Sequence, residues 1–218
     1  MQIKSHQFLD YIAPHLPENP VIVEAGAFKG HDTFKLATMW PQSTIHAFEP
    51  VPELFEDLRE RTHNMPNIFC YQLALSDHNG TAEFHVSEHP KRPGTPSQAG
   101  SLLKPKERLQ HSPIYFTGTI SVPTITLDNW AQQHAIDHVD FLWLDLQGHE
   151  LAVLKASTTI LKTVRVIYTE VEFIESYENN PRYMDVKNWL EANGFVELVR
   201  NFSDQPEWFF GNTVFIRK

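Results

Sequence analysis

Short continuous apolar runs alternate with stretches of helical spacing along most of this chain. Residues 1–16 predict a short amphipathic helix through Phe8, Leu9, Tyr11 and Ile12, closed by Pro14 and Pro17. The stretch Val21–Gly30 (VIVEAGAFKG) then reads as a buried strand, an acid at Glu24, and a small-residue turn holding Gly26, Ala27 and Gly30. A helix follows through Phe34, Leu36, Ala37 and Trp40 and stops at Trp40-Pro41. A second strand, Ser43–Pro50, carries Glu49 at its end, and Leu54, Phe55 and Leu58 give helical spacing across 51–63. A third strand, Asn67–Leu75, runs into Ser76-Asp77 and the turn His78-Asn79-Gly80.

The alternation breaks between 81 and 124. Thr81–Ser87 is strand-like, but His89–Pro123 holds Pro90, Pro93, Pro96, Pro105, Pro113 and Pro123, so 81–124 is read as an insertion, part hairpin and part flexible cap, in a single domain spanning 1–218. Thr126 predicts the N-cap of a helix through Leu127 and Trp130. The fourth strand, Val139–Leu146, again ends at an acid, Asp145, and precedes a helix with Leu151, Leu154, Thr158 and Leu161 on one face. The fifth, Thr163–Phe173, carries Glu170 and Glu172. Asn180-Pro181 marks a helix start and Gly194 its end. Two closing strands, Phe195–Asn201 and Asn212–Arg217, are joined by a link without a helix and should be antiparallel. The sum is an α/β fold: a doubly wound, mostly parallel sheet with an antiparallel element at its end.

Composition narrows the function. At 218 residues the chain can bury one full core. A formal net charge of −9 argues against a nucleic-acid partner. The single cysteine, Cys70, excludes an intrachain disulfide and fits a reducing, cytoplasmic setting; within IFCYQLAL it reads as a buried, inert thiol. No signal peptide is expected, and no apolar run nears the roughly 20 residues of a membrane span. Oligomeric state leaves no mark in the sequence.

In doubly wound sheets ligands sit at the carboxyl ends of the strands, and here those ends carry Glu24, Glu49, Asp77, Asp145, Glu170 and Glu172. A dinucleotide would place its phosphates beside Glu24, a repulsion on the order of 1–4 kcal/mol at surface-like dielectric. S-adenosylmethionine has no phosphate. Its sulfonium and ammonium favour Glu24, its carboxylate suits the helix start, its ribose hydroxyls suit Glu49, and its adenine amino group suits Asp77.

The motifs VIVEAGAFKG, HAFEP, QLALSDHNGTAEFHV, ITLDNW and FLWLDLQGHELAVLKAS, in that order, resemble the FkbM family of S-adenosylmethionine-dependent methyltransferases. The likeness covers nearly all of residues 20–217 and is weakest in 88–118. It implies a seven-stranded, Rossmann-like class I methyltransferase sheet and methylation of sugar or polyketide-type hydroxyls, with S-adenosylhomocysteine as product. It also implies cofactor roles for Glu24, Gly26, Gly30, Glu49, Ser76 and Asp77, to which the neighbouring Ala27, Thr33, Pro50 and Asp145 are added. Asp145, His149 and Glu150 fall beside the methyl group. Gln147 and Trp143 depart from the family, which more often has glutamate and lysine there.

An alcohol must lose its proton as its oxygen attacks, and a general base supplies about 10²–10⁴-fold. Asp145, His149, Glu150 and Glu170 are the candidates. A divalent metal held by Asp145 with Glu170 or Glu172 is the disfavoured alternative, and no metal ligand is assigned. In the cap, Ser101, Lys104, Lys106, Arg108, His111 and Tyr115 are candidates for hydrogen bonds to a sugar, with Trp208 and Phe209 at the cleft rim and Trp143 in the core. The expected function is O-methylation of a sugar or glycan hydroxyl. The alternatives are O-methylation of a polyketide or other small molecule, a nucleotide-binding oxidoreductase, and a non-catalytic binding module.

Overall fold

The computed structural model describes residues 2–218. Its elements are α1 (Phe8–Ile12), β1 (Val21–Ala25), α2 (His31–Met39), β2 (Thr44–Phe48), α3 (Pro52–Thr62), β3 (Ile68–Tyr71), β4 (Ala74–Leu75), β5 (Gly80–His89), β6 (Arg92–Pro96), α4 (Arg108–His111), β7 (Tyr115–Ile125), α5 (Leu127–Gln133), β8 (Phe141–Leu144), α6 (Glu150–Ala156), β9 (Val166–Glu172), α7 (Tyr183–Ala192), β10 (Phe195–Arg200) and β11 (Phe210–Arg217). The helix expected over 1–16 is α1 flanked by two 3-10 turns; Met1 lies outside the described residues.

The main sheet has seven strands in the order β10-β11-β9-β8-β1-β2-β3, and β11 alone runs against the rest. Both faces are covered, which is why β1 is apolar at consecutive positions. Val23 and Ala25 pack into one layer with Leu142, Leu144 and Ile167. Ile22 packs into the other with Ile45, Phe141 and Val166. α1 seals this second layer through Phe8, whose ring meets Tyr168 edge-on at 5.1 Å.

A second sheet, β4-β7-β5-β6, stands at the carboxyl ends of the first. It corrects one expectation and gives form to another. The run read as one strand, Asn67–Leu75, divides: Ile68–Tyr71 pairs with β2, whereas Ala74 and Leu75 pair with Thr124 and Ile125. The segment 81–124 is built chiefly from the long β5–β7 pair, with β6 and α4 inside the excursion. Pro93 and Pro96 are tolerated because β6 is an edge strand. Elsewhere, Thr126 Oγ1 caps α5 by accepting from Asn129 N at 3.2 Å. α7 starts two residues beyond the Asn180-Pro181 signal, at Tyr183, with the Asp185 carboxylate accepting from Arg182 N at 2.9 Å. Cys70 is half-buried rather than buried. No helix of the described residues is long and apolar enough to cross a membrane.

Candidate active site

The chain leaves β1 toward β2 on one side and later returns to β8 on the other, so a crevice opens between the ends of β1 and β8. A cavity of 390 Å³ occupies it, walled by the turn after β1, the start of α2, the ends of β2 and β8, and the second sheet.

Gly26 begins the turn with φ +85°. A Cβ there would stand 2.0 Å from the Asp145 carbonyl oxygen, so the two strand ends can approach this closely only around a glycine. Gly30, at φ +75°, is the N-cap of α2. The first N–H groups of that helix have no intrahelical partner and lie where His31 and Asp32 line the cavity. Glu49 follows β2 directly, with its carboxylate pinned from both sides: Oε2 accepts from Phe28 N and Oε1 from Val51 N, both at 2.9 Å. Each oxygen keeps a lone pair for a further donor. Burial nonetheless pushes the Glu49 carboxyl up to about 8.

The other wall follows β8. Asp145 lines the cavity, and the next residues turn through two left-handed positions, Gln147 at φ +53° and Gly148 at φ +95°. Gln147 Nε2 donates to Asp145 Oδ1 at 2.6 Å and to Glu170 Oε1 at 2.8 Å. Burial raises both carboxyls, Glu170 well above the carboxylate range; Gln147 and the Arg108 guanidinium act the other way on Asp145. Arg108, buried on α4, lies 3.7 Å from Glu172 Oε1 and among the rings of Tyr177, Phe209 and Phe210. His149 lines the cavity with Nε2 3.2 Å from Ser76 Oγ; burial lowers its pKa, favouring the neutral imidazole. No cluster of three or more metal-ligating side chains forms among the described residues.

Of the residues singled out from sequence, Gly26, Ala27, Glu49, Pro50, Asp145 and His149 meet at the cavity wall. Gly30, the N-cap, and Thr33, in α2, are off the wall. Glu24 is enclosed, 1% exposed and off the cavity wall, with Oε2 unpartnered and its carboxyl pushed up to about 8 by burial. Asp77 is not on the wall: its Oδ1 is 2.8 Å from His78 Nδ1, and with Ser76 it sits behind His149. Glu150 turns back on its own loop, accepting from Leu146 N at 2.7 Å and Gly148 N at 3.3 Å. Glu170 and Glu172 lie deeper, tied to Gln147 and Ser176.

The cap residues proposed from sequence point elsewhere. Lys104 and Lys106 pair with Glu178 and Glu175, Tyr115 bonds Glu88, and Ser101 donates to the Gln147 carbonyl. His111 packs its ring on Phe209, which is buried, while Trp208 is exposed off the cavity wall. Instead Ser87, Ser97, Gln98 and Leu102 reach the cavity, residues that no spacing in the sequence sets apart from the rest of the loop. Trp143, expected in the core, also lines the cavity, its ring stacked on Tyr168 at 3.8 Å.

The methyltransferase FkbM domain, as a family model, matches residues 24–197, which hold both walls of this cavity. The chain belongs to the FkbM methyltransferase family. This FkbM methyltransferase is 32% identical over 185 residues to the 2-O-methyltransferase NoeI of Sinorhizobium fredii, covering 84% of this chain and 75% of that one. It is 25% identical over 131 residues to the hexuronic acid methyltransferase AglP of Haloferax volcanii, covering 60% of this chain and 48% of the other. Among solved structures, SMU.1697c of Streptococcus mutans in complex with SAH superposes with a TM-score of 0.57 at 10% identity, over 100% of this chain and 99% of that one. That likeness extends the class I methyltransferase fold to the whole chain.

Proposed function

We propose that this FkbM methyltransferase moves a methyl group from S-adenosylmethionine to a hydroxyl oxygen of a sugar or glycan. The observation that carries it is the convergence of the Gly26 turn, Glu49 and Asp145 on one cavity at the switch point. The acids suit a cationic ligand without phosphates. Glu49 would take the ribose hydroxyls, and the free N–H groups at the start of α2 the methionyl carboxylate, with Asp32 near the ammonium. When bound, the cofactor supplies an electrophilic methyl group.

The chain's own residues then position and deprotonate the acceptor. Asp145 accepts the hydroxyl proton: burial raises its proton affinity, and its Oδ1 is held by Gln147. His149, neutral and fixed by Ser76, accepts a hydrogen bond from a neighbouring hydroxyl of the same sugar. Ser97 and Gln98 offer hydroxyl and amide groups suited to a polyol. The names of NoeI and AglP support a sugar hydroxyl as acceptor.

Two measurements test this. Calorimetry should detect S-adenosylhomocysteine binding, and Glu49→Ala should weaken it about tenfold or more, as expected for hydrogen bonds to a charged group worth about 1.5–3 kcal/mol. A methyl-donor assay across methyl glycosides of deoxyhexoses and hexuronic acids, with and without chelator, should give an O-methylated product. Asp145→Asn should lower its rate about 100-fold or more. Binding unaffected by Glu49→Ala, or an Asp145→Asn variant of full activity, would overturn the corresponding assignment.

A further inference from the structure

The turn after β8 places a neutral amide where buried carboxylates are most concentrated. Both hydrogens of Gln147 Nε2 are used, one on Asp145 and one on Glu170. Turned end for end, the amide would set its oxygen against Asp145 Oδ1 and Glu170 Oε1 and lose both of these donated hydrogen bonds. At its other end, Gln147 Oε1 lies 2.9 Å from the Tyr177 hydroxyl. That hydroxyl is also 2.9 Å from the carbonyl of Ala99, and its single hydrogen serves one acceptor at a time. The backbone of Gln147 is held in its left-handed conformation while Ser101 Oγ donates to its carbonyl at 2.9 Å. Ala99 and Ser101 belong to the cap. Gln147 and Tyr177 are both buried, so solvent does not average these contacts.

Among the described residues, the Gln147 amide is the side-chain donor that Asp145 receives. The charged and titratable groups around Asp145 are Glu170 and Glu172 on β9, Glu24 on β1, Glu49 just after β2, Arg108 on α4, Asp32 on α2, Glu150 on α6, and the phenols Tyr168 and Tyr177. Arg108 is the cation of that set.

We propose that Gln147 is the positioning residue of the methyl-transfer site: its amide aims Asp145 at the cavity, and Tyr177 and Ser101 tie that aim to the seated cap. This rests on Asp145 as proton acceptor. Gln147 itself touches no reacting atom and acts through the carboxylate it holds.

The test labels aspartate and glutamate carboxyls with ¹³C and follows Asp145 by NMR titration, its signal assigned from Asp145→Asn. Gln147→Met keeps length and removes both donors. The Asp145 midpoint should rise by one unit or more, a tenfold loss of ionisation, while S-adenosylhomocysteine affinity stays within threefold. With the glycoside that accepts methyl, kcat should fall tenfold or more at unchanged KM for the methyl donor. Gln147→Glu, which keeps the shape but exchanges two N–H donors for at most one O–H, should not restore the midpoint. Tyr177→Phe should shift the midpoint in the same direction and by less. A folded Gln147→Met protein with an unmoved midpoint overturns the proposal; should that variant not fold, an unmoved midpoint in Tyr177→Phe does so. The two readings fail separately. A fully active Asp145→Asn removes the proton acceptor, whereas an inactive Asp145→Asn beside an unmoved Gln147→Met removes only the positioning role.

Discussion

At the scale of single residues, the site depends on backbone positions that few side chains tolerate. Gly26 combines a positive φ with the approach of the Asp145 carbonyl, and the obstructing atom is backbone, which cannot swing away. Gly94 shares the left-handed φ, +76°, but a Cβ there meets nothing within 4 Å. The pair therefore separates strain from collision. Gly94→Ala should cost about 1 kcal/mol, the ordinary penalty for a left-handed alanine. Gly26→Ala should cost more, about 2–4 kcal/mol, because β1 and β8 must also part. Urea unfolding compares the two directly, and calorimetry should show S-adenosylhomocysteine binding lost in Gly26→Ala and kept in Gly94→Ala.

At the scale of elements, legibility followed how local the cause was. β1 and β8 could be read because burial on both faces makes strands continuously apolar, and Thr126 could be read because a cap acts within its own turn. The division of Asn67–Leu75 between two sheets could not, since it depends on where β7 returns to pair with Ala74. The same limit applies at the site. Glu49 and Asp145 stand out at strand ends, but no local pattern shows that Gln147 bridges two acids or that Arg108 meets Glu172. That ion pair joins α4 to β9, and both partners are buried. Breaking it from one side strands a charge, so Arg108→Met should cost about 3–5 kcal/mol. Adding Glu172→Gln should recover most of that loss. Unfolding should be followed at pH 8.5, because burial holds the Glu172 carboxyl at about 7 even beside the arginine, and at pH 6 a proton would replace the lost cation. A double variant no more stable than Arg108→Met would assign the loss to packing on Tyr177, Phe209 and Phe210 instead.

At the scale of the whole molecule, the fold concentrates acid groups at one end of its sheet without matching cations, and this links stability to pH in an uncommon direction. Glu24, Glu49 and Glu150 are each pushed up to about 8 by burial, from an unfolded value of 4.5. Below pH 4.5 each is protonated in both states and contributes no penalty. Between 4.5 and 8 the unfolded chain ionises while the folded one keeps its proton, so stability falls as pH rises through this window. The slope is about 1.4 kcal/mol per pH unit for each such carboxyl, set against surface acids with the opposite trend. The ligand-free protein should therefore melt at a higher temperature near pH 5.5 than at pH 8.5. Of these acids Glu49 lines the cavity, and a cationic ligand seated beside it favours its ionised form, so S-adenosylmethionine should raise the melting temperature more at pH 8.5 than at pH 5.5. Differential scanning fluorimetry at both pH values, with and without the ligand, gives all four numbers. A ligand-free protein that gains stability steadily from pH 5.5 to 8.5 would mean that these carboxyls are ionised in the fold and that Arg108 and the backbone N–H groups around them neutralise the site on their own.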